Sequence, residues 1–155
     1  MANYIEGKLD AKSFKFAIVA SRVNDFITAP LVDGAVDTLL RHNASDKNID
    51  IIKVPGSFEL PFGILKAAQS KKYDAIIAVG AIIRGQTSHF DFLSSQVTKD
   101  ISSIGLENNV PVTSGIITTE NTEQAIERVG VKAGNRGAEA AISAIEMASL
   151  VKALK

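Results

Sequence analysis

Four short runs of β-branched and small apolar residues alternate along the chain with longer stretches of helical periodicity. The runs at 14–20, 49–54, 75–81 and 110–118 read as strands, and the patterns at 26–42, 58–71, 89–107 and 121–155 read as helices. The run at 75–81 reads as a buried strand, too short to cross a membrane. Strand–helix alternation of this kind predicts right-handed crossovers and an α/β sandwich, with a four-stranded parallel sheet covered on both faces. Asn121 with Gln124 three residues on resembles a capping box, and Gly130 and Gly134 divide the last helical region in two.

Two segments exceed what one copy of such a fold needs. Residues 4–9 (Tyr-Ile-Glu-Gly-Lys-Leu) have the character of an extra strand before the core begins. It would pair either with its own sheet or with the exposed sheet edge of a neighbour. The last helix carries Ala138, Ala140, Ala141, Ala144 and Ala148 amid Ile142, Ile145, Met147 and Leu150. More than one of its faces is small or apolar, as in a helix that a second subunit also covers.

Composition narrows the class. A chain of 155 residues is expected to form one domain, spanning 1–155 behind an arm at 1–13, and to bury ~70% of its unfolded surface. Seventeen basic residues balance seventeen acidic ones, so neither nucleic acid nor an anionic membrane is indicated as a partner. Cysteine is absent, which excludes disulfides and thiolate metal sites. The first ten residues have no apolar core of a leader, and the expected location is cytoplasmic.

Candidate chemistry concentrates where the strands end. Each strand is followed by an unusual polar or Gly/Pro segment: Ser-Arg-Val-Asn-Asp at 21–25, Pro-Gly-Ser-Phe-Glu at 55–59, Gly-Ala-Ile-Ile-Arg-Gly-Gln-Thr-Ser-His at 80–89 and Thr-Thr-Glu-Asn at 118–121. In an open parallel sheet ligands bind outside the carboxyl ends of the strands, so these segments predict one composite site. At 80–89 a strand passes to a helix through glycines and hydroxyls, where free N–H groups and the helix dipole favour an anion. His89 would stand beside that anion. The chain has no GxxxxGK[ST], GxGxxG or GxSxG, and two distant histidines make a poor zinc site, so neither metal nor cofactor is expected.

Each candidate also has a plainer reading. A histidine at a helix start is more often a cap or a surface residue than a catalyst, although Thr87 and Ser88 can do the capping here. A phosphate would favour its charged form and the helix terminus its neutral form, which suits a proton carrier. Arg128 near a helix end complements the dipole, or clamps a phosphate with the backbone of Gln86 and Thr87. Glu59 is favoured in a first turn, or accepts from substrate hydroxyls. Lys132 and Arg136 are solvated charges or further contacts, and His42 reads as an ordinary helix-end histidine.

Over nearly its whole length the chain resembles the 6,7-dimethyl-8-ribityllumazine synthase family. The resemblance rests on Asn-Asp-Phe-Ile at 24–27, Val-Pro-Gly-Ser-Phe-Glu-Leu-Pro at 54–61, the segment 80–89, Gly-Ile-Ile-Thr-Thr-Glu-Asn at 115–121, Gln-Ala-Ile-Glu-Arg at 124–128 and Lys-Ala-Gly-Asn-Arg-Gly at 132–137. It implies a flavodoxin-like fold and a transferase that condenses 5-amino-6-(D-ribitylamino)uracil with 3,4-dihydroxy-2-butanone 4-phosphate. It further implies that Ser57, Phe58 and Glu59 hold the ribityl chain and uracil, and that Ala81, Ile82 and Ile83 offer backbone groups to the ring. Gln86 and Thr87 would bind phosphate together with Arg128 of an adjacent subunit, and His89 would carry the proton. Asn24, Lys132 and Arg136 are further substrate-binding candidates.

The family's sites lie between subunits of a pentamer. Its short glycine-asparagine link, found here at 134–137, accompanies icosahedral 60-subunit shells that can enclose riboflavin synthase. A non-catalytic lumazine or flavin binder, or a shell-forming paralogue, is the competing reading. Two positions depart from the family's pattern: Val23 stands where an aromatic residue covers the heterocycle, and Ser114 where phenylalanine is common. A Val23→Phe variant is therefore expected to bind the uracil substrate ~0.5–1.5 kcal/mol tighter. Calorimetric titration checks this, and equal affinities would count against the stacking account.

Overall fold

The computed structural model describes residues 1–84, 89–130 and 134–155. Four strands, β1 (Phe16–Ser21), β2 (Ile49–Val54), β3 (Ala75–Ile83) and β4 (Val112–Thr119), form a parallel sheet in the order β2-β1-β3-β4. The helices are α1 (Asp25–Arg41), α2 (Leu60–Gln69), α3 (Phe90–Asn108), α4 (Thr122–Glu127) and α5 (Arg136–Ala153). This is the expected α/β sandwich with flavodoxin-like strand order.

The alternation of side chains along the strands builds two cores. On one face Phe16, Ile18, Ala20, Ile77, Val79, Ala81 and Ile83 pack with Ile27 and Leu31 of α1 and with Ala144 and Ile145 of α5. On the other, Ala17, Val19, Ile76 and Ala78 pack with Leu60 and Ile64 of α2 and with Val97 and Ile101 of α3. All nine residues of β3 are buried, which is why its sequence is continuously apolar rather than alternating.

Most element ends differ from the sequence reading by one or two residues, β4 for example spanning Val112–Thr119 rather than 110–118, and three differences have a visible physical setting. First, β1 begins two residues later than 14, because Ser13 turns through a left-handed conformation (φ 73°) and the Lys15 N–H donates to the Asp74 carboxylate at 2.8 Å. Second, β3 runs on to Ile83, carried by its pairing with β4 as far as Ile83 opposite Thr119. Third, residues 4–9 add no strand to this chain's own sheet, which among the described residues takes none from the N-terminus. That segment lies along α5 instead: the Lys8 N–H donates to Ser149 Oγ at 2.8 Å, and a Cβ at Gly7 would collide with the Glu146 carbonyl.

The glycines at 130 and 134 (φ 103° and 88°) separate α4 from α5 as expected. The capping box is reciprocal but shifted. Asn121 Oδ1 accepts the Gln124 N–H at 2.9 Å, while Gln124 Oε1 accepts the N–H of Glu120 rather than that of Asn121. Asn135 caps α5 through the Ala138 N–H (3.0 Å) and donates its amide to the Pro30 carbonyl of α1 (3.0 Å). At this crossing the two helices meet backbone to backbone, and a Cβ on Gly137 would lie 1.9 Å from the Leu31 carbonyl oxygen. Replacing Gly137 with Ala is expected to destabilise the chain by ~1–3 kcal/mol through overpacking. Urea unfolding measures it, and an unchanged midpoint would refute the close approach.

Candidate active site

The order β2-β1-β3-β4 places a topological switch between β1 and β3, since β1 leads outward to β2 and β3 leads outward to β4. Their registers diverge at the carboxyl end. β1 accompanies β3 only as far as Ala20 opposite Val79, whereas β4 accompanies it to Ile83. Ala81, Ile82 and Ile83 thus have no strand partner on the β1 side, and a crevice opens there, as the doubly wound fold requires.

A cavity of about 220 Å³ occupies this crevice, lined by Val23, Asn24, Gly56, Ser57, Phe58, Glu59, Ala81, Ile82, Ile83 and Leu93. Its walls have separate causes. The loop after β1 is held by Ser21 Oγ, which accepts the Val23 N–H at 3.2 Å. Asn24 sits in the left-handed region (φ 62°, ψ 46°) at the start of α1 and donates its amide to the Ala81 carbonyl at 3.2 Å, tying the loop to β3. The loop after β2 makes one 3-10 turn over Ser57–Glu59. A Cβ at Gly56 would stand 3.2 Å from Glu59 Oε1 and 3.4 Å from Val23 Cγ2, so glycine lets the carboxylate and the valine approach the same point. Ser57 is buried, whereas Phe58 is 71% exposed and Val23 49% exposed at the rim.

His89 is the N-cap residue of α3 and is exposed. Its carbonyl accepts the N–H of Leu93, one turn on, and Leu93 lines the cavity, so the helix led by His89 forms part of the wall. The sequence offered Thr87 and Ser88 as caps. Those residues lie outside the described ones, as do Gln86, Thr87 and Lys132, three of the substrate candidates.

The structure does not bring every candidate to this cavity. Arg128 follows α4 as its C-cap, and its Nη1 donates to the Gln124 carbonyl at 2.7 Å, a helix-end contact. Arg136 opens α5, with its N–H on the Arg128 carbonyl (3.1 Å) and its guanidinium 3.9 Å from Glu139. Ser114 is exposed on β4 and accepts the Ile116 N–H at 3.3 Å, away from the lining. His42 caps α1, with Nδ1 2.7 Å from the Thr38 carbonyl, as its position in the sequence suggested.

Two lining residues escaped sequence reasoning. Gly56 lay inside a quoted motif without a role, and Leu93 was detectable as the residue four on from His89 on one helix face. Arg84 also went unremarked, although a charge abutting a buried strand signals a partner. Its guanidinium bonds Glu120 and Asp91, and these hydrogen bonds raise its pKa further above the usual arginine value. Another groove, of about 380 Å³, lies at the opposite sheet edge among Ser102, Gly105, Leu106, Val112, Met147 and Val151, with no titratable group in its lining. Among the described residues no cluster of three or more potential metal ligands occurs, and no helix is long and apolar enough to cross a membrane.

The cavity can therefore take a flat, partly apolar group against Val23, with acceptors and donors from Ser57, Glu59 and the free edge of β3. Asn24→Ala is expected to cost ~1–2 kcal/mol, because alanine is unfavourable at left-handed φ. Asn24→Gly should cost less, and denaturant unfolding that ranks the two alike would contradict this. In comparison with known families, a sequence model described as 6,7-dimethyl-8-ribityllumazine synthase matches residues 13–152.

Proposed function

Because the chain belongs to the 6,7-dimethyl-8-ribityllumazine synthase family, a family of transferases in riboflavin biosynthesis, we propose the following reaction for it. It condenses 5-amino-6-(D-ribitylamino)uracil with 3,4-dihydroxy-2-butanone 4-phosphate to 6,7-dimethyl-8-ribityllumazine, releasing phosphate and water. The observation that carries this reading is the switch-point cavity. Val23, the Ser57–Glu59 turn and the unpaired edge of β3 line it, and the helix that starts at His89 borders it.

In this reading the uracil lies against Val23 and takes its hydrogen bonds from the backbone at Ala81, Ile82 and Ile83. Asn24 holds that edge in place, and Ser57, Phe58 and Glu59 receive the ribityl chain. The 5-amino group attacks the ketone of the butanone, and water is lost as the imine forms. A proton then leaves the hydroxyl-bearing carbon next to the imine and phosphate departs from its neighbour. The enol so formed takes a proton at its terminal carbon and becomes a ketone, on which the 6-ribitylamino nitrogen closes the ring with loss of a second water. Every one of these steps moves a proton. In this reading His89 is the group to accept and return it.

Arg128, whose guanidinium contacts its own helix end rather than this cavity, serves the phosphate from an adjacent copy, with Gln86 and Thr87 on the first. Ser114, Lys132 and Arg136 are further substrate contacts in this reading. The active unit is thus a homo-oligomer, a pentamer. Gly134-Asn135-Arg136-Gly137, without an insertion, favours its assembly into a 60-subunit shell, with riboflavin synthase as a candidate guest. In that assembly the single domain 1–155 projects its arm (1–13) toward a neighbour. Tyr4 and Ile5 are exposed on the arm, and Ile51 is exposed on the edge strand β2. No cofactor or metal enters this scheme, and the cytoplasm is the expected site of action.

The rival, a binder without turnover, draws on Val23 in place of an aromatic cover. Mixing the two substrates with the protein and following lumazine absorbance separates the two: turnover supports the enzyme, and tight lumazine binding without turnover supports the rival. His89→Ala is expected to lower kcat roughly 100-fold while leaving the KM for the uracil substrate within a few-fold, as for loss of a general acid–base. An unaltered kcat would remove His89 from the mechanism.

A further inference from the structure

The last described residue before the segment 85–88 that precedes His89 is a charged one, and its side chain has three partners. Arg84 follows directly on the nine buried residues of β3. Its Nε donates to Glu120 Oε2 at the end of β4 (2.5 Å), and Nη2 donates to Asp91 Oδ1 in the first turn of α3 (2.9 Å). The guanidinium lies over the ring of Phe90, 4.5 Å from its centroid, and that ring is itself buried. One side chain therefore joins the ends of two strands to the start of a helix.

The residues it holds on that helix, Phe90 and Asp91, are the two that immediately follow His89. We propose that Arg84 is a positioning residue for His89, fixing the first turn of α3 against β3 and β4 and so holding His89, the N-cap of the helix whose Leu93 lines the cavity. This inference rests on the proton-carrying role proposed for His89. Arg84 does not line the cavity, so it acts through another group and not on substrate. Nor is stability its main contribution. The side chains of Arg84, Asp91 and Glu120 are 45%, 78% and 59% exposed, and ion pairs so open to water stabilise a fold little. Their joint geometry is what matters. A planar fork can meet two carboxylates while stacked on a ring, whereas a lysine ammonium supplies the charge without the plane.

The test is a double-mutant cycle in the full-length protein, using Arg84→Gln, Arg84→Lys, His89→Ala and the two combinations, with lumazine formation as the readout. Arg84→Gln is expected to lower kcat about tenfold, as misplacement of a reacting group does, with the KM for the uracil substrate unchanged. Arg84→Lys should fall between wild type and Arg84→Gln. In the His89→Ala background either substitution should change the residual rate by less than about twofold, because the group it positions is gone. A loss from Arg84→Gln that persists in full without His89 overturns the inference, as does one confined to the KM of the phosphorylated substrate. In those cases Arg84 acts as a counter-charge at the rim. If Arg84→Gln fails to fold by circular dichroism, the Arg84→Lys arm carries the same cycle. Failure of the underlying reading is distinct: it appears as full activity of His89→Ala alone.

Discussion

The structure depends on β3 being buried on both faces while losing one of its two neighbours before it ends. Burial keeps its nine residues apolar, and pairing with both β1 and β4 holds it in register as far as Val79. Beyond that point only β4 continues. The backbone at Ala81–Ile83 is then paired with β4 on one side and has no strand on the other, where the Asn24 amide meets the Ala81 carbonyl. A ligand edge can replace a strand there at little cost in order, because the strand is already in place. Everything else assigned to the cavity is arranged around that open edge: Asn24 on the Ala81 carbonyl, the Ser57–Glu59 turn opposite, and Leu93 beyond.

A second constraint governs the far end of the chain. The crossing of α1 and α5 is so close that Gly137 meets the Leu31 carbonyl, and the Asn135 amide links the two helices. The short segment from Arg128 to Arg136 hangs from this crossing, with the Arg136 N–H closing back on the Arg128 carbonyl. The Arg128 and Arg136 side chains are engaged there, with the Gln124 carbonyl and the Glu139 carboxylate, and neither lines the cavity.

Much of this was legible in the residues. The alternation of apolar runs and helical periods fixes an α/β sandwich, since strands so continuously apolar must be covered twice. Of the polar segments that follow the strands, those after β1 and β2 meet the end of β3, so that Val23, Asn24, Ser57, Phe58, Glu59, Ala81, Ile82 and Ile83 line one cavity, whereas residues 118–121 after β4 do not line it. Of the two pairings open to residues 4–9, the one with this chain's own sheet does not occur, for a simple reason. Alternating apolar and polar residues describe an extended chain, and an extended chain laid on α5 has the same pattern as one paired in a sheet. Arg84 escaped notice because its partners, Glu120 and Asp91, are 36 and 7 residues away, and nothing local marks them as one cluster.

Local sequence, then, determined the order and kind of the elements, because the periods of strand and helix are properties of neighbouring residues along the chain. It also determined the chemistry available, since residue types set which groups can donate, accept or titrate. Only the tertiary structure decided which of those groups share a space. Strand register, the left-handed turn at Asn24 and the depth of the α1–α5 crossing depend on contacts between residues far apart in sequence. Those contacts put the Val23 and Glu59 side chains at one point while turning Arg128 toward its own helix end.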